Sequence, residues 1–114
     1  MPHFIIDCSE NLISLKSPDV IMENVYDAAE STALFDPGDI KVRINPFKYY
    51  NVGDTKNDFV HIFANIMEGR TVEQKAMLSK TVVTKLKQVF PEVPILSMNI
   101  RDFEAATYFN KPMI

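Results

Sequence analysis

Phe59-Val60-His61-Ile62-Phe63-Ala64-Asn65-Ile66-Met67-Glu68-Gly69-Arg70-Thr71-Val72-Glu73-Gln74-Lys75 passes from a strand pattern to a helix start within one short stretch. Its first nine residues are rich in aromatic and β-branched side chains, which suit a pleated, half-buried surface. The turn Glu68-Gly69 follows. Thr71 then stands as an N-cap with Gln74 three residues on, the spacing of a capping box that satisfies two free backbone N–H groups reciprocally. Downstream, Met77, Leu78, Val82, Leu86, Val89 and Phe90 form a wide apolar stripe at helical spacing. Pro91 and Pro94 end the helix, and Ile95 to about Asp102 reads as a further strand. A tail containing Tyr108, Phe109 and Pro112 closes the chain.

Working back from that stretch, the same grammar appears earlier. Pro2 to Cys8 is an apolar strand. Ser17, Pro18 and Asp19 supply an N-cap, a first helical proline and a first-turn acid, and Ile21, Val25, Ala28 and Ala29 share one helical face as far as about Thr32. Asp36-Pro37-Gly38-Asp39 is a turn, with a positive φ expected at Gly38, leading to a strand from Ile40 to about Tyr50. The polar run Val52 to Asp58 joins it to Phe59, and a hairpin between the second and third strands is expected.

The chain thus reads as one domain, residues 1–114, built of two β-α-β halves, about 1–56 and 57–114. Right-handed crossovers place both helices on one face, so the predicted fold is α+β, with a four-stranded mixed sheet. The second sheet face is expected to be apolar and covered by other copies of the chain in a closed homo-oligomer.

Composition removes several function classes. With 114 residues, of which 46% are hydrophobic, there is core enough for one domain, but no apolar run approaches the roughly 18 residues that span a bilayer. The N-terminus lacks the pattern of a signal peptide, so a cytoplasmic location is expected and no membrane partner. A formal net charge of −3 argues against a nucleic-acid surface. Three glycines, Gly38, Gly53 and Gly69, cannot write a phosphate-binding loop or a dinucleotide fingerprint. His3 and His61 have no metal-ligand spacing, and Cys8, the one cysteine, lies in an apolar strand as a small core residue. No metal or organic cofactor is expected.

The chemistry-bearing residues are then few. Removal of Met1 would leave Pro2 with a secondary amine, and burial would lower its pKa from the usual terminal range of about 7.7–8.0 toward that of a neutral-pH base. With Met1 retained, the same nitrogen is a tertiary amide without basicity. Lys41 and Arg43 share a strand face and could hold carboxylates, or could be a solvated face. Arg70 stands at a strand-to-helix junction, where the helix N-terminus also favours anions. Phe4, Ile6 and Phe109 are candidates either for an apolar wall around the amine or for plain core.

The segment Glu68 to Lys75 closely resembles the one that opens the helix in 4-oxalocrotonate tautomerase. Pro2-His3-Phe4-Ile5-Ile6 with Cys8-Ser9, Ile40-Lys41-Val42-Arg43, Phe59-Val60-His61 and Thr107-Tyr108-Phe109-Asn110-Lys111 together resemble the 5-carboxymethyl-2-hydroxymuconate isomerases of the tautomerase superfamily, to which macrophage migration inhibitory factor is also related. The resemblance implies a homotrimer and a cofactor-free isomerase acting on an unsaturated, carboxylated 2-hydroxy acid of aromatic catabolism. It implies Pro2 as general base and Arg70 as the group that binds a substrate carboxylate and stabilises charge on oxygen. Lys41 falls where the family more often has arginine, and Arg43 on a second basic position. A decarboxylase, a hydratase-type dehalogenase or a non-catalytic trimeric binding module are the alternative readings.

Overall fold

The computed structural model describes residues 1–114. Strand β1 (His3–Ser9) is followed by a one-turn helix α1 (Leu12–Leu15), helix α2 (Pro18–Ser31), strand β2 (Lys41–Phe47), strand β3 (Phe59–Met67), helix α3 (Val72–Val89) and strand β4 (Ile95–Phe103). Short 3-10 turns at Pro37–Asp39, Ala105–Thr107 and Lys111–Met113 complete the chain. The helix starts form as their side chains dictate. Ser17 Oγ accepts from Val20 N at 3.3 Å, and at α3 Thr71 Oγ1 accepts from Gln74 N at 3.1 Å while Gln74 Oε1 accepts from Thr71 N at 2.9 Å.

The sheet order is β2-β1-β3-β4, with β1 parallel to β2, β3 parallel to β4, and β1 antiparallel to β3. The expected hairpin between the second and third strands does not form, because β1 lies between them. Each half closes its own parallel pair across its helix, and the halves join through their first strands, which bury alternate side chains along almost their whole length. The polar linker runs past the end of β1 and is tied there. Ser9 Oγ donates to Asp58 at 2.9 Å and accepts from Phe59 N at 3.2 Å, and the Asn11 amide donates to Asp58 at 3.2 Å. β2 is shorter than expected, ending at Phe47, and it tolerates Pro46 because it is an edge strand. Gly38 lies in a 3-10 turn rather than at positive φ; the left-handed positions are Ala33 (φ 58°), Gly53 (φ 57°) and Gly69 (φ 119°).

The core lies between the sheet and the two long helices. Phe4, Ile6, Val60, Ile62, Ala64 and Ile66 meet Val25 and Ala29 of α2 and Leu78 and Val82 of α3, all at 0% exposure. The opposite sheet face is not the apolar surface expected from the sequence. Successive side chains of a strand alternate, so the same register that buries Phe4 and Ile62 turns Ile5 and Phe63 outward beside Asp7, Arg43, His61 and Asn99. On that face His61 bridges Ser97 Oγ (2.7 Å) and Asn99 Oδ1 (2.6 Å), and the Arg101 guanidinium lies 4.1 Å from the Phe63 ring centroid.

Candidate active site

Two strand pairings bring the chain terminus to one sheet edge. The parallel β1–β2 register sets His3 against Lys41, with Lys41 N donating to Pro2 O at 3.1 Å. The antiparallel β1–β3 register sets His3 against Asn65, so the residues before His3 run alongside the end of β3. The tail folds back to the same edge: Glu68 N donates to Phe103 O at 3.1 Å, and Ala105 N donates to the Glu68 carboxylate at 2.6 Å. These segments enclose a cleft of about 480 Å³. Met1, Asp39, Lys41 and Met67 line it together with Ala105, Tyr108, Asn110 and Met113 of the tail.

Pro2 itself is fully buried, directly after the Met1 that lines this cleft. The terminal amine lies 3.5 Å from Asp39 O, and Lys41 Nζ donates to the same carbonyl at 2.7 Å. Burial, followed by the hydrogen bond and charge of Lys41, lowers the terminal amine below its ordinary 8.0, with the Asp39 carboxylate opposing the shift. His3 is lowered too, first by burial and then by the Arg43 guanidinium. Arg43 lies 3.0 Å from His3 Nδ1, and since a guanidinium only donates, Nδ1 is the acceptor and the ring proton sits on Nε2.

The residues singled out in the sequence are therefore distributed unequally. Lys41 lines the cleft, and Pro2, buried behind Met1, is tied to it through the Lys41 N to Pro2 O bond. Arg43 is two residues along the strand, engaged with His3 and outside the cleft lining. Arg70 follows Met67 at the same sheet end, but its guanidinium donates to Leu34 O at 2.8 Å and lies 4.8 Å from the Phe35 ring centroid. Phe35 in turn packs edge-on against Phe4 at 6.2 Å. Phe4 and Ile6 are core residues on the helix side. Phe109 is 66% exposed and does not line the cleft. Its neighbour Tyr108 does, because the backbone there is extended and consecutive side chains point apart. Asp39, Tyr108 and Asn110 were not legible as site residues; only the tail's return to Glu68 brings the last two near Met1.

Burial pushes the Cys8 thiol up to about 11, so it is no nucleophile at neutral pH. No helix is long and apolar enough to cross a membrane.

The family model described as 5-carboxymethyl-2-hydroxymuconate isomerase matches residues 2–114. Among curated proteins, the 5-carboxymethyl-2-hydroxymuconate Delta-isomerase of Escherichia coli is 25% identical over 92 residues, covering 79% of this chain and 73% of that protein. Among solved structures, a 5-carboxymethyl-2-hydroxymuconate isomerase from Deinococcus radiodurans R1 superposes with a TM-score of 0.82 at 22% identity, covering 96% of this chain and 88% of that one. A protein crystallised after inactivation by 2-oxo-3-pentynoate superposes with a TM-score of 0.84 at 20% identity, covering 98% and 94%. A match over all but the first residue shows that the chain belongs to the 5-carboxymethyl-2-hydroxymuconate isomerase family and is an isomerase.

Proposed function

We propose that the chain, after loss of Met1, uses the Pro2 amine as general base to shift a proton within an unsaturated, carboxylated 2-hydroxy acid. The observation that carries this is the position of Met1: it lines the cleft while Pro2 is buried behind it, so its removal would open the prolyl nitrogen to the cleft beside Lys41. The surroundings that depress the present terminal amine would act on a prolyl amine in the same sense and favour its neutral, basic form. The neutral amine takes the 2-hydroxyl proton, the electron pair moves along the conjugated chain, and the cationic amine returns the proton to carbon. Lys41 binds a substrate carboxylate as a point charge. Arg70 acts from outside the cleft by fixing the Leu34-Phe35 segment that leads to Asp39 and Lys41, and Arg43 by fixing His3. No metal or organic cofactor takes part in these steps.

We also propose a homotrimer, supported by the half-buried Ile5 and Phe63 on the open sheet face, and a cytoplasmic location, in keeping with a free, buried thiol. The test pairs the intact mass of natively expressed protein with an ultraviolet assay of 2-hydroxydienoate ketonisation. Loss of Met1 with turnover is expected, and Pro2→Ala, which leaves a primary amine, should lower kcat by about 10²-fold or more. Full activity in protein that retains Met1, or in Pro2→Ala, would remove proline from the mechanism.

A further inference from the structure

The tail wall of the cleft is held by one residue at two points. Glu68 directly follows β3; its backbone N donates to Phe103 O at 3.1 Å, and its carboxylate accepts from Ala105 N at 2.6 Å. Beyond that clamp the chain turns at once through Ala105–Thr107, closed by Thr107 N donating to Glu104 O at 3.3 Å and Tyr108 N donating to Ala105 O at 3.2 Å. The turn brings Tyr108 back beside the end of β4, where its ring packs on that of Phe103 at 5.3 Å. Glu68 therefore fixes both the entry to the turn and the residue on which the returning ring rests.

The hydroxyl delivered in this way has no partner within the chain. Of the four tyrosines, Tyr26 donates to Pro37 O at 3.3 Å and Tyr50 to Lys56 O at 3.1 Å, while Tyr49 is 85% exposed. Tyr108 is half-buried and lines the cleft with Met1 and Lys41. Its O–H is free to donate to a ligand there.

The reaction proposed for the cleft gives such a donor a task. As the Pro2 amine takes the 2-hydroxyl proton, negative charge gathers on that oxygen before it becomes a carbonyl. Lys41 is taken up by the carboxylate, and Arg70 is turned to the Leu34 carbonyl outside the cleft. A positioned neutral donor that keeps its own proton stabilises the charge on the oxygen without competing for the proton the base carries.

We infer that Tyr108 is a catalytic residue whose hydroxyl donates to the ligand's 2-oxygen as the enol becomes the ketone, and that Glu68 is the positioning residue that presents it. The inference rests on the reading of the cleft as a tautomerase site and adds to it the group that serves the oxygen.

The test measures ketonisation of 2-hydroxymuconate and of 5-carboxymethyl-2-hydroxymuconate by protein lacking Met1. Tyr108→Phe keeps the ring on Phe103 and should lower kcat by about 10²-fold with a much smaller change in KM. Glu68→Ala, at an exposed position, should also lower kcat, Glu68→Gln, which keeps an acceptor for Ala105 N, should recover most of the loss, and Glu68→Ala combined with Tyr108→Phe should fall no further than Tyr108→Phe alone. Unchanged kcat in Tyr108→Phe would overturn the catalytic role, and additive losses in the double variant, or no recovery with Gln, would overturn the positioning role. Co-expressed Pro2→Ala and Tyr108→Phe chains should stay as slow as the variants themselves; restored turnover would put Tyr108 in a neighbouring copy's site and overturn the assignment to its own. Failure of the parent to turn over either compound would instead overturn the tautomerase reading, so the two failures are distinguishable.

Discussion

His3 shows how a single side chain ties stability to pH here. In the folded chain its Nδ1 accepts from Arg43, and burial together with the positive charges of Arg43, the terminus and Lys41 keeps its pKa below the ordinary 6.5. The unfolded chain therefore binds the proton first on acidification. Stability is at its full value above about pH 6.5, declines as pH falls below it, and levels once the folded-state pKa is passed. His3→Gln keeps an acceptor for Arg43 without a titrating ring. Thermal unfolding followed from pH 7 to pH 5.5 should show a falling midpoint in the parent and a flatter profile in the variant; equal slopes would remove His3 as the source. Lys41, which lines the cleft, and Pro2 behind it stand out in the sequence because basicity and charge are properties of residue type. Tyr108 was not distinguishable from Phe109, since which of two adjacent aromatics faces a cleft depends on how a tail docks.

At the scale of elements, the two long helices are capped with unequal care. α3 begins with a complete box and is preceded by Gly69 at φ 119°, a conformation that only glycine adopts without strain. α2 ends with Thr32 as C-cap, and Ala33 then takes φ 58°, the left-handed position that usually carries glycine. An alanine there costs about 1 kcal/mol against its preferred backbone. Ala33→Gly should accordingly raise the urea midpoint by the equivalent of about 0.5–1 kcal/mol with an unchanged m-value. A lower midpoint would show that Ala33 contributes packing that outweighs the backbone term. Helix starts were readable from Ser17 and from the Thr71–Gln74 pair because caps are local. The end of β2 and the backbone of Gly38 were misjudged because a turn-prone sequence serves a 3-10 turn as readily as a glycine turn.

For the whole molecule, the proposed assembly rests on the open sheet face. Its outward side chains are mixed, with Ile5 flanked in register by Arg43 and Phe63. Ile5 lies opposite the core, so Ile5→Arg should leave the fold intact by circular dichroism yet convert a species of three chain masses into one by light scattering. A parent that is monomeric at micromolar concentration, or a variant that stays trimeric, would contradict the proposed assembly. By itself the sequence determined the β-α-β repeat, the helix starts and the side-chain classes able to act as base and anion binder, because propensity, capping and alternation are set by residues near one another in the chain. Only the tertiary structure decided that β1 rather than β3 lies beside β2, that the second sheet face carries charge, and that Asp39, Lys41 and Tyr108 line one cleft over Pro2 while Arg70 does not. Those outcomes rest on pairings between residues far apart in sequence, where register and the docking of a tail choose among contacts that local pattern leaves equivalent.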